Sequence, residues 1–176
     1  LVPNKHQQII KEAIDSFPVF ATHLWHFLRL PSPTPVQYQL ADYLQNGPNR
    51  RIIMAYRGCG KSFLTAGYVL WRLRKNPDTK VLVISAAQDR ADAFSVFCHD
   101  LLRNWFMVKD LFPSDTQRFS KVAFDVFGSK PDQSPSVRSS GIFGQITGSR
   151  ADLIVADDVE TPQSCETQLI RDKLRE

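Results

Sequence analysis

The chain has 176 residues, of which 43% are hydrophobic and 23% are charged, a composition typical of one folded globular domain. Its longest apolar runs, such as residues 81–84, are far too short to span a bilayer, and the polar start at residues 4–8 is not a signal peptide. The net charge of +4 permits a polyanionic partner without identifying one. We therefore expect a cytosolic protein with no membrane contact.

The three cysteines, Cys59, Cys98 and Cys165, are widely spaced and have no second Cys or His at a metal-ligand interval. We expect them to be reduced thiols. The chain begins with Leu1 rather than Met, and its last residues have a helical pattern with no stop signal after it. We therefore expect a fragment of a longer protein.

Residues 1–46 form the first predicted unit, in which apolar residues recur at helical spacing. Pro35 can open the third of these helices, because proline is well placed at a first helical position. A turn at residues 46–49, Asn-Gly-Pro-Asn, ends the unit. The apolar positions are Ile9, Ile10, Ala13, Ile14 and Phe17, then Phe20, Leu24, Phe27 and Leu28, and then Leu40 and Leu44.

Residues 47–176 form the second predicted unit, in which short apolar runs alternate with longer amphipathic stretches. This alternation predicts an α/β fold with a mainly parallel sheet flanked by helices. A loop rich in proline and serine, residues 129–136, separates two strands. The predicted strands are Arg51–Ala55, Lys80–Ser85, Val122–Phe127, Val137–Phe143 and Leu153–Ala156, and the predicted helices are Lys61–Lys75, Asp89–Trp105 and Ser164–Arg175.

Residues 55–62, Ala-Tyr-Arg-Gly-Cys-Gly-Lys-Ser, lie between a predicted strand and a predicted helix, which is the context of a Walker A phosphate loop. Gly58 and Gly60, with the small residue Cys59 between them, would let backbone N–H groups curl around phosphates. Lys61 can reach the β- and γ-phosphates of ATP, and the Ser62 hydroxyl can bind Mg²⁺. The usual first glycine is an alanine here, and a chance Gly-Lys-Ser at a helix start is the alternative.

Residues 153–158 form an apolar strand that ends in two acids, as a Walker B motif does. Asp157, at the edge of the sheet, can hold Mg²⁺ directly or through water. A second acid can polarise the attacking water, and Asp158 and Glu160 are both candidates for this catalytic acid. A helix cap or a solvated turn is the alternative, but the phosphate loop upstream favours the catalytic interpretation.

Gln37 closes the segment Pro-Thr-Pro-Val-Gln, residues 33–37, upstream of the phosphate loop. One glutamine amide can accept from N6 of adenine and donate to N7, which selects ATP over GTP. The alternative is an exposed glutamine at a proline-rich helix start. The position ahead of the phosphate loop favours adenine recognition.

Four segments together resemble the large terminase subunits of short-tailed phages, namely residues 55–62, 83–93, 132–138 and 144–160. The resemblance implies a P-loop NTPase fold of the helicase and RecA type, with the catalytic acid next to Walker B. It also implies an ATPase in the host cytoplasm that moves double-stranded viral DNA into a procapsid through a portal. The family works as a homo-oligomeric ring, and a small terminase subunit helps to select the DNA.

The resemblance also assigns roles to two arginines. Arg57 corresponds to a loop arginine that senses or stabilises the γ-phosphate, since a guanidinium spreads its charge over the transferring phosphoryl oxygens. Many large terminases have an arginine shortly before Walker B that reaches the neighbouring subunit, and Arg150 lies three residues from that position. Arg150 could instead pair with Asp152 or Asp157.

Two other functions remain open at this point. A helicase-like translocase would share the glutamine segment and the ATPase layout, and a nucleotide-binding module without turnover would use ATP only to organise a ring. The paired acids Asp157 and Asp158 argue against the second. The family's nuclease domain has no counterpart in these 176 residues, so we do not expect this stretch to cut DNA.

Overall fold

In the computed structural model, the described residues are 5–144, 146, 148, 150–159 and 172. They form an α/β structure in which a four-stranded sheet is flanked by helices. The α/β class predicted from the alternating pattern is confirmed.

The N-terminal unit consists of three helices, α1 (Lys5–Asp15), α2 (Phe17–Phe27) and α3 (Pro35–Asn46). The hydroxyl of Ser16 caps α2 by accepting from the Val19 amide, and the hydroxyl of Thr34 caps α3 in the same way. These caps satisfy amides that would otherwise lack partners at each helix start. All three predicted helices are confirmed.

Two longer helices belong to the second unit, α4 (Lys61–Lys75) and α5 (Gln88–Asn104). The predicted bounds of α4 are confirmed, and α5 begins and ends one residue earlier than predicted. A short 3₁₀ helix, Lys109–Leu111, follows α5. The predicted helix Ser164–Arg175 falls outside the described residues except for Asp172.

The sheet contains β1 (Val81–Ser85), β2 (Ala123–Phe124), β3 (Val137–Gly141) and β4 (Leu153–Asp157), in the order β2-β3-β1-β4. β1 pairs in parallel with β3 and with β4, whereas β2 pairs antiparallel with β3. The sheet is therefore mixed, and the prediction of a mainly parallel sheet is corrected. β2 and β3 are also shorter than predicted, and the loop predicted between them is confirmed.

The predicted strand Arg51–Ala55 is wrong, because these residues form no strand among the described part of the chain. Arg51 is held by its guanidinium, which donates to the Gly47 carbonyl at 2.8 Å. Ile52 and Met54 are 83% and 92% exposed. The run has the composition of a strand, but a strand also needs a neighbour that accepts its backbone hydrogen bonds.

The core lies between the sheet and the helices, and it contains buried side chains from both predicted units. The Trp71 indole N–H donates to the carbonyls of Ala13 and Ile14 at 3.1 and 3.0 Å, which ties α4 to the end of α1. None of the helices among the described residues is long and apolar enough to cross a membrane. The largest fully buried side chains are Trp105, Phe17, Phe20, Phe124, Leu24, Leu70 and Leu73.

Candidate functional site

The predicted phosphate loop is a tight turn that leads directly into α4. The Cys59 amide donates to the Tyr56 carbonyl at 3.3 Å, and Gly58 and Gly60 both adopt left-handed backbone conformations, with φ of 86° and 84°. Gly60 caps α4 without any side-chain hydrogen bond. The first amides of α4 therefore remain open to a bound anion, which the positive end of the helix also favours.

Lys61 is the first residue of α4, and its side chain folds back over the loop. The ammonium donates to the Ala55 carbonyl at 2.9 Å and to the Tyr56 carbonyl at 3.4 Å. An ammonium has three donors, so one remains for a further acceptor. Ser62, the next residue, and Arg57, four residues before Lys61, are both exposed. The loop thus presents two cations, a hydroxyl and open amides within one short stretch.

The two acids lie where β4 ends, on the same edge of the sheet as the carboxyl end of β1. Asp157 is opposite Ser85 in the parallel register. Asp158 is exposed and has a left-handed backbone, with φ of 47°, a conformation that aspartate tolerates better than most residues. The turn at Asp158 ends the strand.

The carboxyl group of Asp157 is harder to ionise than an ordinary aspartate. Burial raises its pKa, and the neighbouring charge of Asp158 raises it further, while the charges of Lys61 and Arg90 lower it. A divalent cation next to this carboxylate would stabilise its charged form in the same way. The site therefore has a half-buried acid whose charge is only partly compensated by the described residues.

Arg90 is a positive charge acting on Asp157 that the sequence analysis did not single out. It lies in the first turn of α5, which begins shortly after β1 ends at the edge that carries Asp157. An arginine just after the carboxyl end of a strand, at a helix start, was the available signal. The sequence alone could not show that the charge of Arg90 acts on Asp157, because charged residues at helix ends are usually solvated.

Lys61, Asp157 and Asp158 line a single cleft of about 200 Å³ between α3, α4 and β4. The predicted phosphate-binding lysine and the two predicted acids therefore lie together, although about a hundred residues separate them in the chain. The other wall of the cleft is largely apolar and includes Leu40, Leu44, Leu64, Tyr68, Leu153 and Val155.

Gln37 is attached to the phosphate loop. Its side-chain nitrogen donates to the Cys59 carbonyl at 2.8 Å, and its side-chain oxygen accepts from the Thr34 amide at 2.8 Å as part of a capping box. A glutamine amide has two N–H donors and an oxygen with two lone pairs. One N–H and one lone pair therefore remain, which is what adenine recognition requires.

Arg150 lies away from this cleft, near the amino end of β4. It lines a polar cleft with Asp132 and Arg138. The pKa of Asp132 is lowered chiefly because the Ser134 amide donates to its carboxylate, and the charges of Lys80 and Arg150 add to this effect. Glu160 lies outside the described residues, so the choice between Asp158 and Glu160 as the catalytic acid stays open.

The donor set fits magnesium bound together with a nucleotide. Among the described residues, no group of three or more His, Cys, Asp or Glu side chains could hold a metal ion by itself. Asp157 and the Ser62 hydroxyl would leave most of the octahedral positions to phosphate and water oxygens, which is the usual arrangement for magnesium. Cys59 and Cys98, the free cysteines of the described part, are both buried.

The chain is 45% identical over 172 residues, 97% of its length, to a protein of Enterobacteria phage T3 named "Terminase, large subunit". The predicted resemblance to large terminase subunits is confirmed. The chain spans 29% of this terminase's length. No protein-family model matches the chain.

Proposed function

We propose that this chain binds and hydrolyses ATP with Mg²⁺, as the ATPase part of a terminase large subunit that drives double-stranded DNA into a viral procapsid. The observation that carries the proposal is the convergence of Lys61, Asp157 and Asp158 on one cleft beside an uncapped helix start. Phosphoryl transfer needs chiefly positioning and charge stabilisation, and this cleft offers both.

Each residue has a distinct task in this proposal. The loop of Gly58, Cys59 and Gly60, the open amides at the start of α4 and the ammonium of Lys61 bind the phosphates, and Arg57 neutralises charge that develops on the γ-phosphoryl oxygens. Bound Mg²⁺ supplies further neutralisation of that charge. Ser62 and Asp157 would hold the metal ion, and Asp158 or Glu160 would orient and deprotonate the attacking water.

The assembly is proposed from the comparison. The relative's name identifies it as the large subunit of a terminase. We propose double-stranded viral DNA, the portal of the procapsid, a small terminase subunit and further copies of the same chain in a ring as partners, in the host cytoplasm. The formal charge of +4 is compatible with DNA as a partner.

The test is steady-state phosphate release by the full-length protein, with and without procapsids and DNA. We expect Mg²⁺-dependent release that Lys61→Met abolishes while the thermal unfolding temperature stays close to that of the parent. Lys61→Arg is the matched control, since it keeps the charge but changes the geometry at the phosphates. Nucleotide binding without any release would support the module without turnover, and strand separation would support the helicase-like translocase.

A further inference from the structure

The N-terminal helices contact the phosphate loop at two adjacent residues. From α3, the Gln37 side chain donates to the Cys59 carbonyl at 2.8 Å. From α2, the indole of Trp25 lies under Gly60, where a Cβ atom would stand only 2.9 Å from Trp25 Cζ2. The same Cβ would lie 3.5 Å from the Gln37 side-chain nitrogen. Both contacts therefore fall on the turn that precedes Lys61.

Trp25 is fixed where it touches the loop. It is 3% exposed and belongs to the core between the N-terminal helices and α4. Its ring also meets Phe63 of α4 edge to face, with the ring centroids 6.4 Å apart. A side chain packed on several sides cannot move away at low cost, because protein interiors are close-packed. Gly60 consequently has a rigid surface beneath it.

Gln37 is fixed as well. Its oxygen accepts from the Thr34 amide at 2.8 Å, which orients the amide group so that its nitrogen faces Cys59. The Cys59 carbonyl is part of the peptide group that joins Cys59 to Gly60. The φ of Gly60 is 84°. The hydrogen bond and the indole surface together restrict how this peptide can rotate. That rotation decides where the amides around Lys61 point.

We propose that Trp25 and Gln37 are positioning residues that hold the turn at Cys59 and Gly60 in its phosphate-binding shape, so that the N-terminal helices support triphosphate binding whatever base is attached. This inference rests on the proposed function, because it assumes that the loop binds phosphates. It differs from adenine recognition, which would make Gln37 matter only when adenine is present.

The decisive probe is magnesium tripolyphosphate, which has the phosphates of ATP and no base. We expect Gln37→Met in the full-length protein to weaken tripolyphosphate, ATP and GTP by similar factors of about three to tenfold, the range that the loss of one hydrogen bond allows. Trp25→Phe should also weaken all three, because it leaves a gap beneath Gly60. Affinities are measured by calorimetric titration, and thermal unfolding shows that each variant is folded.

Thr34→Val is the matched control, because it removes the hydroxyl cap of α3 but leaves the bond from Gln37 to Cys59 in place. If the proposal holds, Thr34→Val retains tripolyphosphate affinity, and exchange of the Cys59 amide, which donates to the Tyr56 carbonyl, accelerates in Gln37→Met and Trp25→Phe only. Unchanged tripolyphosphate affinity in Gln37→Met, with ATP reduced to the level of GTP, would overturn the proposal in favour of adenine recognition alone. Absence of any tripolyphosphate or ATP binding by the parent protein would instead refute the phosphate-loop assignment itself.

Discussion

The two glycines of the phosphate loop allow the packing against Trp25 to be measured. Gly58 and Gly60 have nearly the same φ, 86° and 84°, so alanine suffers left-handed strain at both positions, about 1–2 kcal/mol. Alanine also restricts the unfolded chain equally in the two variants. A Cβ at Gly58 meets nothing within 4 Å, whereas a Cβ at Gly60 stands 2.9 Å from the Trp25 ring. Overpacking against a buried ring costs about 1–3 kcal/mol.

We therefore expect Gly60→Ala to lower the free energy of unfolding by about 1–3 kcal/mol more than Gly58→Ala does. Chemical denaturation gives this difference directly, provided that the two variants have the same m-value. Backbone strain that is common to both variants cancels from the difference. Trp25→Phe should reduce the difference, because the smaller ring leaves room for the added methyl group. If the two alanine variants unfold with equal free energies, Trp25 does not pack against the loop, and the positioning role argued above loses one of its two supports.

Three further predictions concern other residues. Asp157→Asn should lose Mg²⁺-dependent nucleotide affinity, whereas Asp158→Asn should bind nucleotide and lose turnover; turnover that survives in Asp158→Asn would leave Glu160 as the catalytic acid. If Arg150 acts on a neighbouring copy, mixing Arg150→Ala chains with Asp157→Asn chains should restore part of the ATPase rate, and no recovery would exclude this role. Burial lowers the pKa of His99, and the charge of Arg103 lowers it further while that of Asp100 opposes the effect. The free energy of unfolding should therefore fall as the pH drops below about 6.5, because the unfolded chain then binds the proton more readily than the folded chain. A His99→Phe variant whose unfolding has the same pH dependence would contradict this.

The helices could be predicted from sequence because their determinants are local. Pro35 and the Thr34 cap begin α3, and Gly60 and Lys61 mark the start of α4. The apolar spacing within each helix already describes the face that becomes buried. The turn at residues 58–60 before α4 could be anticipated as well, since glycines, a lysine and a serine at fixed spacing lie within eight residues; that this turn binds phosphate stays a prediction.

The pairing of the strands could not be predicted in the same way. The apolar runs Arg51–Ala55 and Val81–Ser85 look alike in sequence, but only the second has paired neighbours among the described residues. Whether a run becomes a strand depends on which segment lies beside it, and that is a property of the whole fold. Trp25 and Arg90 were missed for a related reason, because their importance comes from contacts with residues far away in the chain.

The location of Arg150 follows from the direction of β4. Arg150 precedes this strand and Asp157 ends it, and a rise of about 3.3 Å per residue places the two ends of the strand about 13 Å apart. Arg150 lines a cleft with Asp132 at the amino end, whereas Lys61, Asp157 and Asp158 line the cleft at the carboxyl end. In a ring with head-to-tail contacts, the amino edge of one copy can face the carboxyl edge of the next. An active site that used Arg150 would therefore take it from a neighbouring copy, because the sheet holds it away from the proposed phosphate site of its own chain.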